Sequence, residues 1–196
     1  MNVINGKRGW MKMRDKYMKQ LENLNNNMIE MGAMIEKSIE NAISALVRQD
    51  VETAKKAIEY DAEIDEMEKN IENMCMKILL SQQPVASDLR TVSSALKMVT
   101  DMERIGDHAA DISEITIMMA DKPYRCKLEK IEKMAKETMI MLVQSIESYV
   151  NKDIEKAKAV INHDDIVDGL FDEVKKALIV ALSLIHISEP TRLLSI

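Results

Sequence analysis

Apolar residues recur at intervals of three and four along most of this 196-residue chain, which is the spacing of one face of an α-helix. The first such stretch includes Leu21, Leu24, Met28, Met31 and Ile35. Five Gly and three Pro leave few points at which a long helix would stop. Aromatic residues make up only 3% of the chain, whereas β-sheet proteins usually contain more of them. The sequence therefore predicts an all-α fold.

Cap and turn residues divide this pattern into helices. Asp50 and Asp153 are expected N-caps, because a carboxylate there can accept hydrogen bonds from free first-turn amides. Breaks are expected before Pro84 and at residues 121–123, and the Asn run at 25–27 is expected to be a weak point. The predicted helices cover about 14–48, 51–80, 85–120, 125–150 and 154–181.

A segment of the chain is repeated 103 residues further on. Residues 50–58 read DVETAKKAI, and residues 153–161 read DIEKAKAVI. The match continues into two pairs of acids, Asp61 and Asp65 in the first copy and Asp164 and Asp168 in the second. Because the cap, the apolar stripe and the acids agree together, we interpret the chain as two copies of one three-helix unit. The second copy stops after two helices.

This repeat gives the predicted domain organisation. Residues 1–12 are an N-terminal extension, 13–121 a first three-helix bundle, and 122–181 a partial second bundle of two helices. Short connections make neighbouring helices antiparallel, and helices of about 30 residues, each about 45 Å long, make the first bundle elongated. Residues 182–196 lack the pattern, seen in the preceding helices, of charged residues on the outer helix face. They resemble translated sequencing-adaptor sequence. We expect this tail to be non-native, and a genuine apolar tail is the alternative.

Charge and composition exclude several classes of function. The net charge is −6 and no basic face stands out, which argues against a nucleic-acid-binding protein. A local basic excess in the first twenty residues is typical of a solvated arm. Cys75 and Cys126 stand alone, as expected in a reducing cytosol. No run of about 18 apolar residues is present, so no transmembrane segment is predicted.

Two acids interrupt apolar stripes of the second and third helices. Asp61 and Glu103 occupy positions where apolar residues are expected, and a buried carboxylate needs a proton, a basic side chain or a metal. Each lies 21 residues from a turn near residue 82, so an antiparallel hairpin would place them at one height. Asp65 and Asp107 lie one turn away. A site for Mg²⁺, Ca²⁺, Mn²⁺ or iron and a solvated acidic face both remain possible interpretations.

Gly106 is a second departure from the pattern of the third helix. Glycine inside a helix is destabilising by roughly 1 kcal/mol relative to alanine. A close approach by another helix or by a ligand cluster would explain it.

Three segments together resemble the PhoU family. Residues 82–90, QQPVASDLR, look like that family's inter-helix motif. Residues 103–108, ERIGDH, look like its third-helix metal motif, and residues 61–65, DAEID, resemble the matching second-helix motif. The resemblance covers about residues 13–181, with the motifs in the family's order.

The resemblance implies a fold and a set of metal ligands. PhoU-like proteins contain two similar three-helix bundles, each able to bind a metal cluster through E/D-x-x-x-D motifs on adjacent helices. Iron, zinc, manganese and magnesium are the metals implied. The first site corresponds here to Asp61, Asp65, Glu103 and Asp107, and half of the second to Asp164 and Asp168.

The resemblance also implies a function. The family represses the phosphate regulon when phosphate is plentiful, through the phosphate ABC transporter with its ATPase and through a sensor histidine kinase. Its members are often homodimers, and they are cytoplasmic proteins that reach the inner face of the membrane through partners. A metal-free structural adapter is the alternative. A carboxylate-bridged dimetal enzyme is less favoured, because such bundles use Glu-x-x-His pairs and this chain has none.

Overall fold

The computed structural model describes residues 2–82, 86–124 and 126–188, and within these ranges every regular element is a helix. The all-α class is therefore confirmed. The described residues form five helices: α1 (Asn2–Arg48), α2 (Val51–Gln82), α3 (Ala86–Met119), α4 (Glu129–Asn151) and α5 (Ile154–Ser188).

Two predicted helix boundaries, the start of α1 and the end of α5, were wrong, and so was the predicted weak point at residues 25–27. α1 begins at Asn2 and includes most of the stretch 1–12 predicted as an extension. The Asn run does not weaken it, since the Asn27 amide donates a hydrogen bond to the Asn23 carbonyl oxygen (2.8 Å) and the helix continues. α5 continues to Ser188, through the first part of the stretch 182–196. Residues 189–196 lie outside the described residues, and the non-native tail stays a prediction.

The first three helices pack against one another, which confirms the predicted bundle. Met31 and Ile35 of α1, Ile71 of α2 and Val99 of α3 are fully buried in its core. Burial of each such side chain stabilises the fold by about 1.5–3 kcal/mol. α4 packs on α1, and α5 contacts α4 alone among the described helices. The described residues therefore form one complete bundle and a two-helix unit attached to it.

The turns before α2 and α5 have the same structure. Gln49 and Lys152 both adopt the left-handed conformation, with φ of 53° and 54°. The Asp50 amide donates to the Ala45 carbonyl oxygen (3.0 Å), and the Asp153 amide does the same to Ser148 (2.9 Å). These bonds satisfy carbonyl groups that a helix end leaves free. The two turns lie 103 residues apart, so the structure contains the repeat found in the sequence.

The two predicted N-caps are also confirmed. Asp50 Oδ1 accepts hydrogen bonds from the amides of Glu52 and Thr53, both at 3.1 Å. Asp153 Oδ1 accepts one from the Lys156 amide at 3.0 Å. In each copy the aspartate satisfies first-turn amides and fixes the start of the helix that carries the acid pair.

The two copies meet through equivalent residues of α1 and α4. A methyl group on Gly32 of α1 would overlap the end of the Ile146 side chain of α4. Further along α1, Ile43 lines one groove with Ala135 of α4. Residues 32 and 43 correspond to 135 and 146 in the repeat, so the same two positions of each copy lie where α1 and α4 face each other. Gly32 lets α4 approach α1 closely.

We predict that Gly32→Ala loosens this joint. Overpacking at such a contact costs about 1–3 kcal/mol, which outweighs the gain of roughly 0.5–1 kcal/mol from replacing a helical glycine by alanine. Urea unfolding of the variant is therefore expected to show a lower free energy of unfolding.

Gly169→Ala is the matched control for that experiment. Gly169 lies in α5, and a methyl group there would have no neighbour within 4 Å. This variant should be slightly more stable than the wild type, because only helix propensity changes. Equal stabilisation by both substitutions would show that Ile146 does not pack on Gly32.

Candidate metal site

Carboxylates of α2 and α3 converge near the middle of the first bundle. Asp61 and Asp65 lie one turn apart on α2, and Asp107 lies on α3. Among the described side chains, one carboxylate oxygen from each of these three lies within 4.8 Å of the others. The structure thus brings together three of the four acids predicted for the first site.

The register of the hairpin differs from the one predicted. Asp61 lies beside Asp107 and the adjacent Gly106, and not directly opposite Glu103. α2 ends at residue 82 and α3 begins at residue 86, so the midpoint between the two helix ends is position 84, two residues later than the predicted centre of the hairpin. A shift of the centre by two residues moves the facing position on α3 by four residues, which is about one helical turn. Asp107 therefore takes the position that was predicted for Glu103.

Glu103 nevertheless belongs to the same electrostatic environment. Burial raises the pKa of its carboxyl group, and the charges of Asp107, Glu68, Asp65 and Asp61 raise it further. All four of these neighbouring charges are negative. Neutralising this environment requires a proton or a cation.

One oxygen of Asp61 is left without a hydrogen-bond donor. Asp61 Oδ1 is enclosed by protein and accepts no hydrogen bond from the described residues. Burial raises the pKa of this carboxyl group, and Asp107, Asp65 and Asp111 add to the effect. An unpaired buried carboxylate oxygen is costly, and a cation at the cluster would satisfy it.

Basic side chains lie at the edge of the cluster and do not fill it. Lys69 Nζ is 3.8 Å from Asp65 Oδ2, in an exposed pair. Arg104 Nη1 lies 3.9 Å from the Oδ1 atom of Asp101, an acid that is not one of the three converging acids. His108 pairs with Asp111 at 3.5 Å on the exposed surface. Exposed pairs of this kind contribute little to stability, so these contacts leave the repulsion within the cluster mostly uncompensated.

Gly106 allows the two helices to approach at the site. A methyl group at this position would lie 3.2 Å from both Cδ1 and Cγ2 of Ile64 and 3.4 Å from Asp61 Oδ1. The close helix approach expected from the sequence is therefore present. Ile64 is fully buried at this contact.

Glu68 is a member of the acidic cluster that the sequence did not single out. Burial raises the pKa of its carboxyl group, followed by the charges of Glu72 and Asp65. Glu68 follows Asp61 by seven residues on the same stripe of α2. That spacing on one helix face could have identified it.

The two acids predicted for a second site are not brought together with others. Asp164 and Asp168 lie on an exposed part of α5. They occupy the repeat positions of Asp61 and Asp65, but the described helices include none that packs on α5 as α3 packs on α2. The geometry that assembles the first cluster is thus not reproduced in the described part of the second unit.

Comparison with known proteins identifies the family. The PhoU domain model matches residues 28–116 and 131–196. The chain belongs to the PhoU family. None of its described helices contains the long apolar window needed to cross a membrane.

Two curated relatives and one crystal structure show how far the similarity to PhoU proteins extends. A PhoU homologue of Clostridium acetobutylicum is 36% identical over 83% of this chain and 75% of its own length. One from Aquifex aeolicus is 35% identical over 83% and 74%. The crystal structure of PhoU from Pseudomonas aeruginosa superimposes with a TM-score of 0.80 and 28% identity, covering 85% of this chain and 80% of that one. Both curated relatives are named phosphate-specific transport system accessory protein PhoU homologues.

We predict that Asp107→Asn stabilises the metal-free protein. The charge of Asp107 raises the pKa of both Asp61 and Glu103, so removing it relieves repulsion in the folded state. The gain should be roughly 0.2–0.5 kcal/mol, the size of a like-charge pair on a helix. Thermal unfolding in the presence of a chelator measures it, with Glu114→Gln, an exposed acid on the same helix, as control. A lower melting temperature for Asp107→Asn would contradict this account of the cluster.

Proposed function

We propose that this chain is a regulatory accessory protein of a phosphate-specific transport system, and that it acts by binding a metal ion and partner proteins. Membership of the PhoU family supports the transport role, since curated relatives in that family are named as accessory proteins of this system. The converging carboxylates of Asp61, Asp65 and Asp107 are the observation that carries the metal-binding part of the proposal.

The donor set fits a hard cation. Asp61, Asp65 and Asp107 would hold it, and Glu103 would add a fourth carboxylate from the next turn of α3. Oxygen-only sites suit magnesium, manganese and iron, whereas zinc sites usually include nitrogen or sulfur ligands. The bound cation would supply positive charge between α2 and α3. It would also satisfy Asp61 Oδ1, which is buried without a hydrogen-bond donor among the described residues.

Binding, and not catalysis, is the proposed activity. The sequence contains no Glu-x-x-His pair of the kind that dimetal oxidases use. His108 lies on the exposed surface beside Asp111, where it forms an ion pair only when protonated. The site therefore has ligands for a metal but no arrangement of acid, base and nucleophile.

We further propose that the bound metal is needed for the protein to act as an adapter between partner proteins. A cation shared by α2 and α3 would fix the surface of the first bundle that is offered to partners. By family resemblance those partners are the ATPase of the phosphate ABC transporter and a sensor histidine kinase. Such a protein would work in the cytoplasm, often as a homodimer, at the inner face of the membrane.

We predict that replacing both Asp61 and Glu103 by alanine abolishes metal binding. The double variant loses Asp61 Oδ1, which lies next to Gly106. It also loses the Glu103 carboxylate, whose pKa is raised by the charges of all three converging acids. Metal content of the purified protein, measured by mass spectrometry, should fall from at least one ion per chain to none.

Matched controls come from exposed acids on the same two helices. Glu63→Ala on α2 and Asp101→Ala on α3 remove carboxylates that lie outside the cluster, so both should keep wild-type metal content. Unchanged metal content in the double variant would rule out this site and would favour the metal-free adapter. The same variants test the adapter role, because partner affinity should fall only in the protein that has lost its metal.

A further inference from the structure

We propose that Gly106 is a positioning residue for the carboxylate site, because it sets the separation of α2 and α3 at which the site binds its cation. This inference rests on the proposed metal binding and adds a residue that donates no ligand atom. Glycine has no side chain, so it can act only through the space that it leaves beside Ile64 and Asp61.

The contact at Gly106 is too close for a methyl group to fit without movement. Two carbon atoms of Ile64 lie 3.2 Å from the position that the added Cβ would take. Ile64 is fully buried in the core of the bundle, so it cannot swing into solvent to make room. Because the packed core leaves the Ile64 side chain little room to give, we expect one helix to shift away from the other by a few tenths of an ångström.

Such a shift is comparable to the tolerance of a metal site. Gly106 directly precedes Asp107 on α3, and Ile64 directly precedes Asp65 on α2 and follows Asp61 by three residues. Moving the helices apart at this contact therefore moves ligands of both helices apart. Metal–ligand distances are held within about 0.2 Å in well-formed sites. Alanine at position 106 should weaken binding without removing any donor.

Gly169 of α5 provides a control for this inference. Gly169 is also inside a helix, but a methyl group there would have no neighbour within 4 Å. Both positions gain helix propensity when alanine replaces glycine. Only at Gly106 does the substitution also meet the opposite helix and a proposed ligand. Comparing Gly106→Ala with Gly169→Ala therefore separates the effect of helix spacing on metal binding from the effect of helix propensity.

The test is a titration with MnCl₂, in which electron paramagnetic resonance measures the free Mn²⁺. We expect Gly106→Ala to bind Mn²⁺ about tenfold more weakly than the wild type, which is the usual cost of disturbing residues that orient metal ligands. Gly169→Ala should bind with wild-type affinity. Circular dichroism of the metal-free proteins should show unchanged helix content for both variants, so that the loss reports the site and not the fold.

A second variant restores the space on the other helix. Gly106→Ala combined with Ile64→Ala removes both carbon atoms that the new methyl group would meet, and its affinity should return towards the wild-type value. A general loss of packing would instead make this double variant weaker still, and that result would overturn the inference. If Gly106→Ala alone does not fold, the double variant carries the same comparison.

Two further outcomes distinguish this inference from the proposed function. Wild-type affinity in Gly106→Ala, together with no binding in the Asp61→Ala, Glu103→Ala variant, would overturn the role of Gly106 and leave the metal site in place. Absence of Mn²⁺ binding by the wild-type protein would overturn both.

Discussion

Repulsion between carboxylates on neighbouring helices is the physical constraint on which the proposed metal binding depends. Carboxylate oxygens of Asp61, Asp65 and Asp107 lie within 4.8 Å of one another. Packing of the apolar core holds α2 and α3 together despite this repulsion. Burial and mutual repulsion raise the pKa of Asp61 and Glu103. A shared cation would convert this unfavourable cluster into a contact that stabilises the helix pair.

The cluster is held in place by local structures at the start of α2 that are repeated at the start of α5. A left-handed residue and an aspartate cap start α2, and their counterparts start α5. The two copies also pack closely where α1 meets α4, since Gly32 leaves space for the end of the Ile146 side chain. Yet the described residues form a cluster in one copy only, because α5 lacks a partner equivalent to α3. Two acids in sequence do not make a site until a second helix faces them.

Much of this structure could be predicted from the sequence, and the misses have physical causes. Apolar spacing and caps gave the helices, and the 103-residue repeat appears in the matching turns at Gln49 and Lys152. The predicted register of the α2–α3 hairpin was one turn off, because apolar periodicity does not fix the residues at which α2 ends and α3 begins. Glu68 was missed because one more acid on a charged helix resembles a solvated residue. Asp164 and Asp168 show that repeat positions do not predict burial when the packing partner is absent from the described residues.

The most direct measurement is anomalous X-ray diffraction from crystals of the protein soaked in MnCl₂. The account predicts a manganese peak between α2 and α3, bound by oxygens of Asp61, Asp65 and Asp107 at about 2.0–2.6 Å, the range for hard cations. A peak only elsewhere on the molecule, or none at saturating metal, would contradict it. The acidic cluster would then be a solvated helix face, and the family relation alone would support the proposed role in phosphate transport.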